Sequence, residues 1–306
     1  MKNIFYIIIF ILNFNNLLAV ESKIIYKIQN EIITNTDIKK EYRYLSAFNS
    51  DLKNLTEDKI YNISKQSIVR ETIKKIEILK KKKNLYLDEK FLNKLIDEAY
   101  IKKLGYDSRE SFKDFLEKND LKIKDVEKKI TIESLWNELI VRKYNSKIEI
   151  NIDDIKKEID KDKSSKSKNY LLSEIVFEIV NKDELNKKYN EIKNSIKENG
   201  FENTVLIYSI ANSVETGGKV GWINENSLNK EIRKNIELLN IGDLSKPFFT
   251  PNGVLLLKIN NIKEESKKIN KELELAKAIN YQRNKQLSQY SQIYFNRVKK
   301  NLEFNE

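Results

Sequence analysis

The chain of 306 residues contains no cysteine and no histidine. Without cysteine there is no disulfide, no thiol nucleophile, no thiolate-bound zinc and no attachment point for a lipid. That absence does not fix the compartment, since many secreted proteins also lack disulfides. Without histidine there is no Ser-His-Asp or Cys-His machinery, no imidazole proton shuttle and almost no transition-metal site. Any catalysis must use carboxylates, lysine, tyrosine, hydroxyls or shape alone, and neither a cofactor nor a metal is expected. A long hydrophobic run is missing too. The uninterrupted apolar stretch Ile4–Leu12 is too short to span a bilayer.

Charge and periodic hydrophobicity are what the chain does have. There are 57 basic and 46 acidic residues, a formal charge of +11, with 40% hydrophobic residues. A basic balance admits nucleic acid, anionic membrane or acidic polypeptide as partners. Lys and Glu here alternate along helical faces rather than clustering with aromatics, so they read as solvated faces, and no nucleic-acid partner is expected. The length suffices for two domains, each with its own core.

Residues 1–19 combine one basic residue, the apolar run and a small residue at Ala19, the pattern of a secretory signal cleaved after Ala19. The alternative is a retained membrane anchor, against which Asn13, Asn15 and Asn16 interrupt the run. Ile24, Tyr26 and Ile28 alternate as a strand, Gln29–Glu31 turn, and Thr34 or Thr36 caps a helix from about residue 37. Apolar stripes predict helices over 57–83 (Ile68, Ile73, Ile76, Leu79), 88–104 (Phe91, Leu92, Leu95, Ile96, Ala99, Leu104) and 123–144, with a short one carrying Phe112, Phe115 and Leu116. Asp88 caps the second and Gly105 ends it.

A short helix at 151–161 precedes the polar stretch Lys161–Lys168, which reads as a hinge. Beyond it come a strand over 170–180, helices over 183–199 and 201–209, a turn at Gly217-Gly218 and a strand Lys219–Asn224. A helix carrying Leu228, Ile232, Ile236 and Leu239 is next, then a strand with Pro247, a Pro251-Asn252-Gly253 hairpin turn and the strand Val254–Ile259, a β-α-β-α-β-β order. After Glu264 a stripe of Ile269, Leu273, Ala276, Ile279, Leu287, Tyr290, Tyr294 and Val298 drifts along one long helix.

Two patterns carry a resemblance. G-G-x-x-G-W at 217–222 with G-D-L-S-x-P-x-x-T-x-x-G at 242–253 resembles the parvulin family of peptidyl-prolyl isomerases. K-I-x-x-K-I-x-N-E-I-I-T-x-x-D-I at 23–38, with the helix order after it, resembles SurA-like periplasmic chaperones. Together they imply an α+β chain: a signal (1–19), a helical chaperone domain (20–160), a hinge (161–168), one parvulin-like domain with a small antiparallel sheet (169–264), and a C-terminal helix (265–306) returning to the chaperone domain.

The implied activity is ATP-independent binding of unfolded outer-membrane or envelope polypeptides in the periplasm, with no stable membrane anchor after cleavage. Parvulins surround a proline pocket with two histidines and a cysteine or aspartate. Those positions are here Glu174, Ala211 and Leu255, so the resemblance implies no catalytic residue at them. The family's apolar pocket positions fall on Leu228 and Ile232, which with Leu255 read either as a substrate groove or as ordinary core. An active isomerase of the same architecture and a membrane-anchored foldase stay open as alternatives.

Overall fold

Strand β1 (Ile24–Ile28) pairs antiparallel with β2 (Glu31–Thr34) on one side and with β7 (Phe304–Asn305) on the other. The computed structural model to which these strands belong describes residues 22–161, 166–179, 181–251, 253–266 and 271–305. The signal at 1–19, residues 162–165 of the hinge, Asn252 and Ile269 lie outside the described residues.

Thr34 begins helix α1 (Asn35–Phe48) with a reciprocal cap: its hydroxyl accepts from the Asp37 N–H, and the Asp37 carboxylate accepts from the Thr34 N–H. Helices α2 (Glu57–Leu79) and α6 (Ile123–Tyr144) pack on the small sheet. The C-terminal half of α11 (Lys271–Lys300) completes this core, where Ile28, Ile73, Trp136 and Tyr294 are all buried. Trp136 Nε1 donates to Ser291 Oγ at 2.8 Å, and the Tyr144 and Tyr290 rings stack with centroids 4.6 Å apart. Ile28 of β1 and Tyr294 of α11, far apart in sequence, thus share one apolar centre.

A second cluster lies among α1, α3 (Glu89–Ile96), α5 (Arg109–Lys118) and the start of α6, beside the short α4 (Lys102–Leu104), with the Phe48 ring in contact with those of Tyr100, Phe112 and Phe115. The continuous helix expected over 88–104 is broken by a π-turn at Asp97–Ile101. The extra residue in a π-turn rotates the next turn of helix around the axis. Ile101 is therefore buried, while Ala99 and Leu104 of the expected stripe are exposed, as is Phe91 in the first turn.

After α7 (Ile152–Lys161) comes a four-stranded antiparallel sheet of order β4-β3-β6-β5: β3 is Lys166–Phe177, β4 Lys219–Asn224, β5 Phe248–Thr250 and β6 Gly253–Ser266. Between them lie α8 (Leu185–Asn199), α9 (Phe201–Tyr208) and α10 (Lys230–Ile236), a β-α-α-β-α-β-β order. The structure is α+β, as its sequence patterns imply.

Residues 166–168, expected in the hinge, are strand and pair with 264–266. Leu228, expected on a helix, precedes it: Asn229 caps α10 by accepting from the Ile232 N–H at 2.8 Å. In the long helix, Leu273 and Ala276 are exposed and Ala278 is buried, because the N-terminal half of α11 faces a cavity rather than a core.

Candidate functional site

Side chains alternate across a strand, so each face of β3 and β6 takes every second residue. One face carries Ile175, Phe177, Val254 and Leu256 and is covered by α8 and α9. The other carries Leu172, Glu174 and Val176 beside Leu255, Leu257 and Ile259, in registers that pair Glu174 with Leu257 and Val176 with Leu255. Glu174 is the one carboxylate in that apolar row.

The glycine pair explains how the turn sits here. The Glu174 N–H donates to the Gly218 carbonyl at 2.8 Å, and Gly218 has φ +77°. A Cβ on Gly218 would lie 2.4 Å from the Glu174 carbonyl oxygen. Only glycine allows both that dihedral and that approach. The turn places Ser213 so that its hydroxyl donates to Glu174 Oε1 at 2.9 Å.

A cavity of about 790 Å³ opens on this face. Its floor includes Glu174, Val176, Ala211, Ile232, Leu255 and Leu257, and its roof is the middle of α11, with Lys277, Asn280, Tyr281, Asn284, Lys285 and Gln289. Trp222 and Lys263 are also part of its wall. Trp222 is 41% exposed, with the Lys263 ammonium 4.5 Å from its ring centroid.

The three family positions, Glu174, Ala211 and Leu255, all line this cavity. Leu228, Ile232 and Leu255 fall in one apolar cluster, each less than a tenth exposed. Ile232 and Leu255 reach the cavity wall, and the cluster also takes the ring of Tyr281.

The electrostatics result from burial. Burial pushes the Glu174 carboxyl above its ordinary value, and neither the Ser213 hydroxyl nor the Lys285 charge brings it back down. Burial likewise pushes the Lys285 ammonium down, against the opposing pull of Glu174. The Tyr281 phenol is pushed up to about 12, first by burial and then by the negative charge of Glu174. No group of three or more carboxylates able to hold a metal occurs among the described residues.

Tyr281, Lys285, Ser213 and Trp222 were not foreseen as part of the site. On α11 the signal was present: Asn280, Asn284 and Ser288, beside Tyr281, Lys285 and Gln289, repeat every four residues, the spacing that aligns side chains on one helix face. Nothing in the sequence says that this polar face lies over the sheet. Gln282 Nε2 fixes it there by donating to the Ser227 carbonyl at 3.2 Å.

Residues 175–261 match the family model of the rotamases, described as the PPIC-type PPIASE domain. That span begins one residue after Glu174 and contains Ala211, Leu228, Ile232 and Leu255. Among curated proteins, the chain is 22% identical over 161 residues to the chaperone SurA of Pseudomonas putida. The matched stretch is 50% of this chain and 38% of that chaperone's length.

Among solved structures, PrsA from Bacillus subtilis is 18% identical, with 91% of this chain and 92% of that one covered at a TM-score of 0.29. A structure from a study of PEB4 and Cj1289, described as SurA-like chaperones of Campylobacter jejuni, is 13% identical, with 92% and 98% covered at a TM-score of 0.37. Among the described residues no helix is long and apolar enough to cross a membrane.

Proposed function

We propose that this chain, which carries a PPIC-type rotamase domain within a SurA-like sequence, works in the periplasm as an ATP-independent chaperone. It holds unfolded envelope polypeptides, including outer-membrane proteins, and its rotamase domain is weak or inactive as an isomerase. In this reading residues 20–160 and 265–306 form the chaperone module, and 169–264 the rotamase domain carried between them.

One observation carries the reading. Of the three positions where parvulins place their polar network, Ala211 and Leu255 are buried apolar side chains, and only Glu174 can ionise. Rotation about a peptide bond crosses a barrier of about 18–20 kcal/mol. An apolar wall favours the twisted amide only by excluding water, and Leu228, Ile232 and Leu255 supply just that. Leu255 and Ile232 form the substrate wall here, with Leu228 packed behind them.

The test pairs two assays on the full chain: exchange NMR on an aromatic-proline peptide and light scattering from an unfolded outer-membrane β-barrel protein. Suppressed scattering without faster prolyl exchange is the expected result. Unchanged scattering would overturn the chaperone reading. A second reading, an active isomerase, has the Glu174–Ser213 hydrogen bond at the cavity wall in its favour. Faster prolyl exchange that is abolished by Glu174→Ala would establish it.

A further inference from the structure

The cavity is larger than a proline ring needs, and about a third of its lining residues come from α11, outside the rotamase domain. Its size lies within the range of about 300–1,000 Å³ usual for ligand sites. The roof residues run from Lys277 to Gln292, about 22 Å of helix at about 1.5 Å per residue. An extended chain rises about 3.3 Å per residue, so that length matches about six or seven residues of strand-like polypeptide.

The chemistry of the two walls differs. The floor offers Leu172, Val176, Leu255 and Leu257 to side chains. The roof offers amides: Asn280, Asn284 and Gln289 face the cavity, and none has a hydrogen-bond partner among the described residues. Each amide both donates and accepts, as an extended backbone requires. Charge on the walls is one-sided. Lys263, Lys277 and Lys285 stand against the single carboxylate of Glu174, although Lys277 is shared with Glu274 at 3.2 Å.

We propose that this cleft binds an extended stretch of an unfolded polypeptide, with its backbone on the unpaired amides of α11, an apolar side chain on the sheet and an acidic side chain toward Lys285. The inference rests on the client-binding reading above and adds to it a place and a preference. Because the roof helix is rooted in the helical core through Trp136–Ser291 and the floor belongs to the rotamase domain, one bound segment touches both parts of the chain.

The experiment uses the full chain and two fluorescein-labelled octapeptides with the same apolar-proline centre, one flanked by glutamates and the other by lysines. Anisotropy reads affinity, and the emission of Trp222 at the cleft wall reads location in parallel experiments with unlabelled peptides. The acidic peptide is expected to bind about tenfold more tightly, a preference that Lys285→Gln reduces several-fold. Asn284→Ala, at an exposed position, is expected to weaken both peptides about equally and covers the case in which the lysine variant fails to fold.

Equal affinity for the two peptides, no change in Trp222 emission, or binding untouched by Asn284→Ala would each overturn the proposal. If the cleft fails these tests while aggregation is still suppressed, this inference falls and the chaperone reading stands. If suppression is absent as well, that reading falls with it.

Discussion

Two carboxylates, the buried Glu71 and the partly buried Glu174, one in each part of the chain, have moved in opposite directions. In the helical module Glu71 of α2 accepts from Lys128 and Lys129 of α6, each at 2.7 Å, and Lys129 also reaches Glu41 of α1 at 2.7 Å. Burial alone would raise the Glu71 carboxyl, yet the two ammonium groups hold it down to about 2. In the rotamase domain Glu174 has one hydroxyl and one lysine, and burial wins. The first arrangement neutralises its own charge and ties three helices together. The second leaves a carboxyl under-compensated beside a cavity, the condition in which titratable groups tend to serve a site rather than a scaffold.

The largest expected effect comes from breaking the first arrangement. Lys129→Met leaves Glu41 and Glu71 buried without their shared cation and is expected to cost about 3–5 kcal/mol in urea unfolding. Trp136, buried in that core, reports it, while Trp222 reports the sheet; these are the only two tryptophans.

Acid tests the same group by titration. The folded value of Glu71 lies below its ordinary 4.5, so its contribution is complete above that pH and is lost as pH falls from about 4.5 to about 2. The loss is of the order of 3 kcal/mol, and Glu71→Gln should remove this part of the acid sensitivity.

Gly218→Ala comes next, about 2 kcal/mol, from a positive φ and a 2.4 Å approach to the Glu174 carbonyl; the rotamase domain carries this loss. Glu174→Gln has the smallest effect and the opposite sign. The folded carboxyl titrates above its unfolded value, so the folded state holds the extra proton and stability falls as pH rises through that window. The variant should lack this fall and be slightly more stable than the parent at pH 8. Equal pH profiles for the two proteins would mean that the two carboxylates are alike after all.

Much of the fold was legible in the sequence because it is local. Strand alternation marked β1, the Gly217-Gly218 turn marked β4, side-chain caps marked the starts of α1 and α3, and the glycine-proline spacing marked the β5–β6 hairpin. The misses are tertiary. A π-turn leaves no local pattern, so Leu104 was assigned inward and Ile101 was not. Strand β7 is two residues long and exists only because β1 offers it an edge. At the site, the resemblance located Glu174, Ala211 and Leu255, whereas Tyr281 and Lys285 lie far along the chain and reach the cavity through helix docking alone.

The pairing of β1 with β7 bears on how the protein is made. Lys27 and Ile28 meet Asn305 and Phe304, and Tyr294, Val298 and Leu302 fill the core beneath. During synthesis, and during any passage through a membrane pore, β1 waits for β7, which lies far along the chain from it. The rotamase sheet, contiguous in sequence, can form meanwhile. A nascent chain stalled before residue 290 would therefore leave the apolar core around Ile28 and Trp136 open, without Tyr294, Val298 and Leu302 to close it.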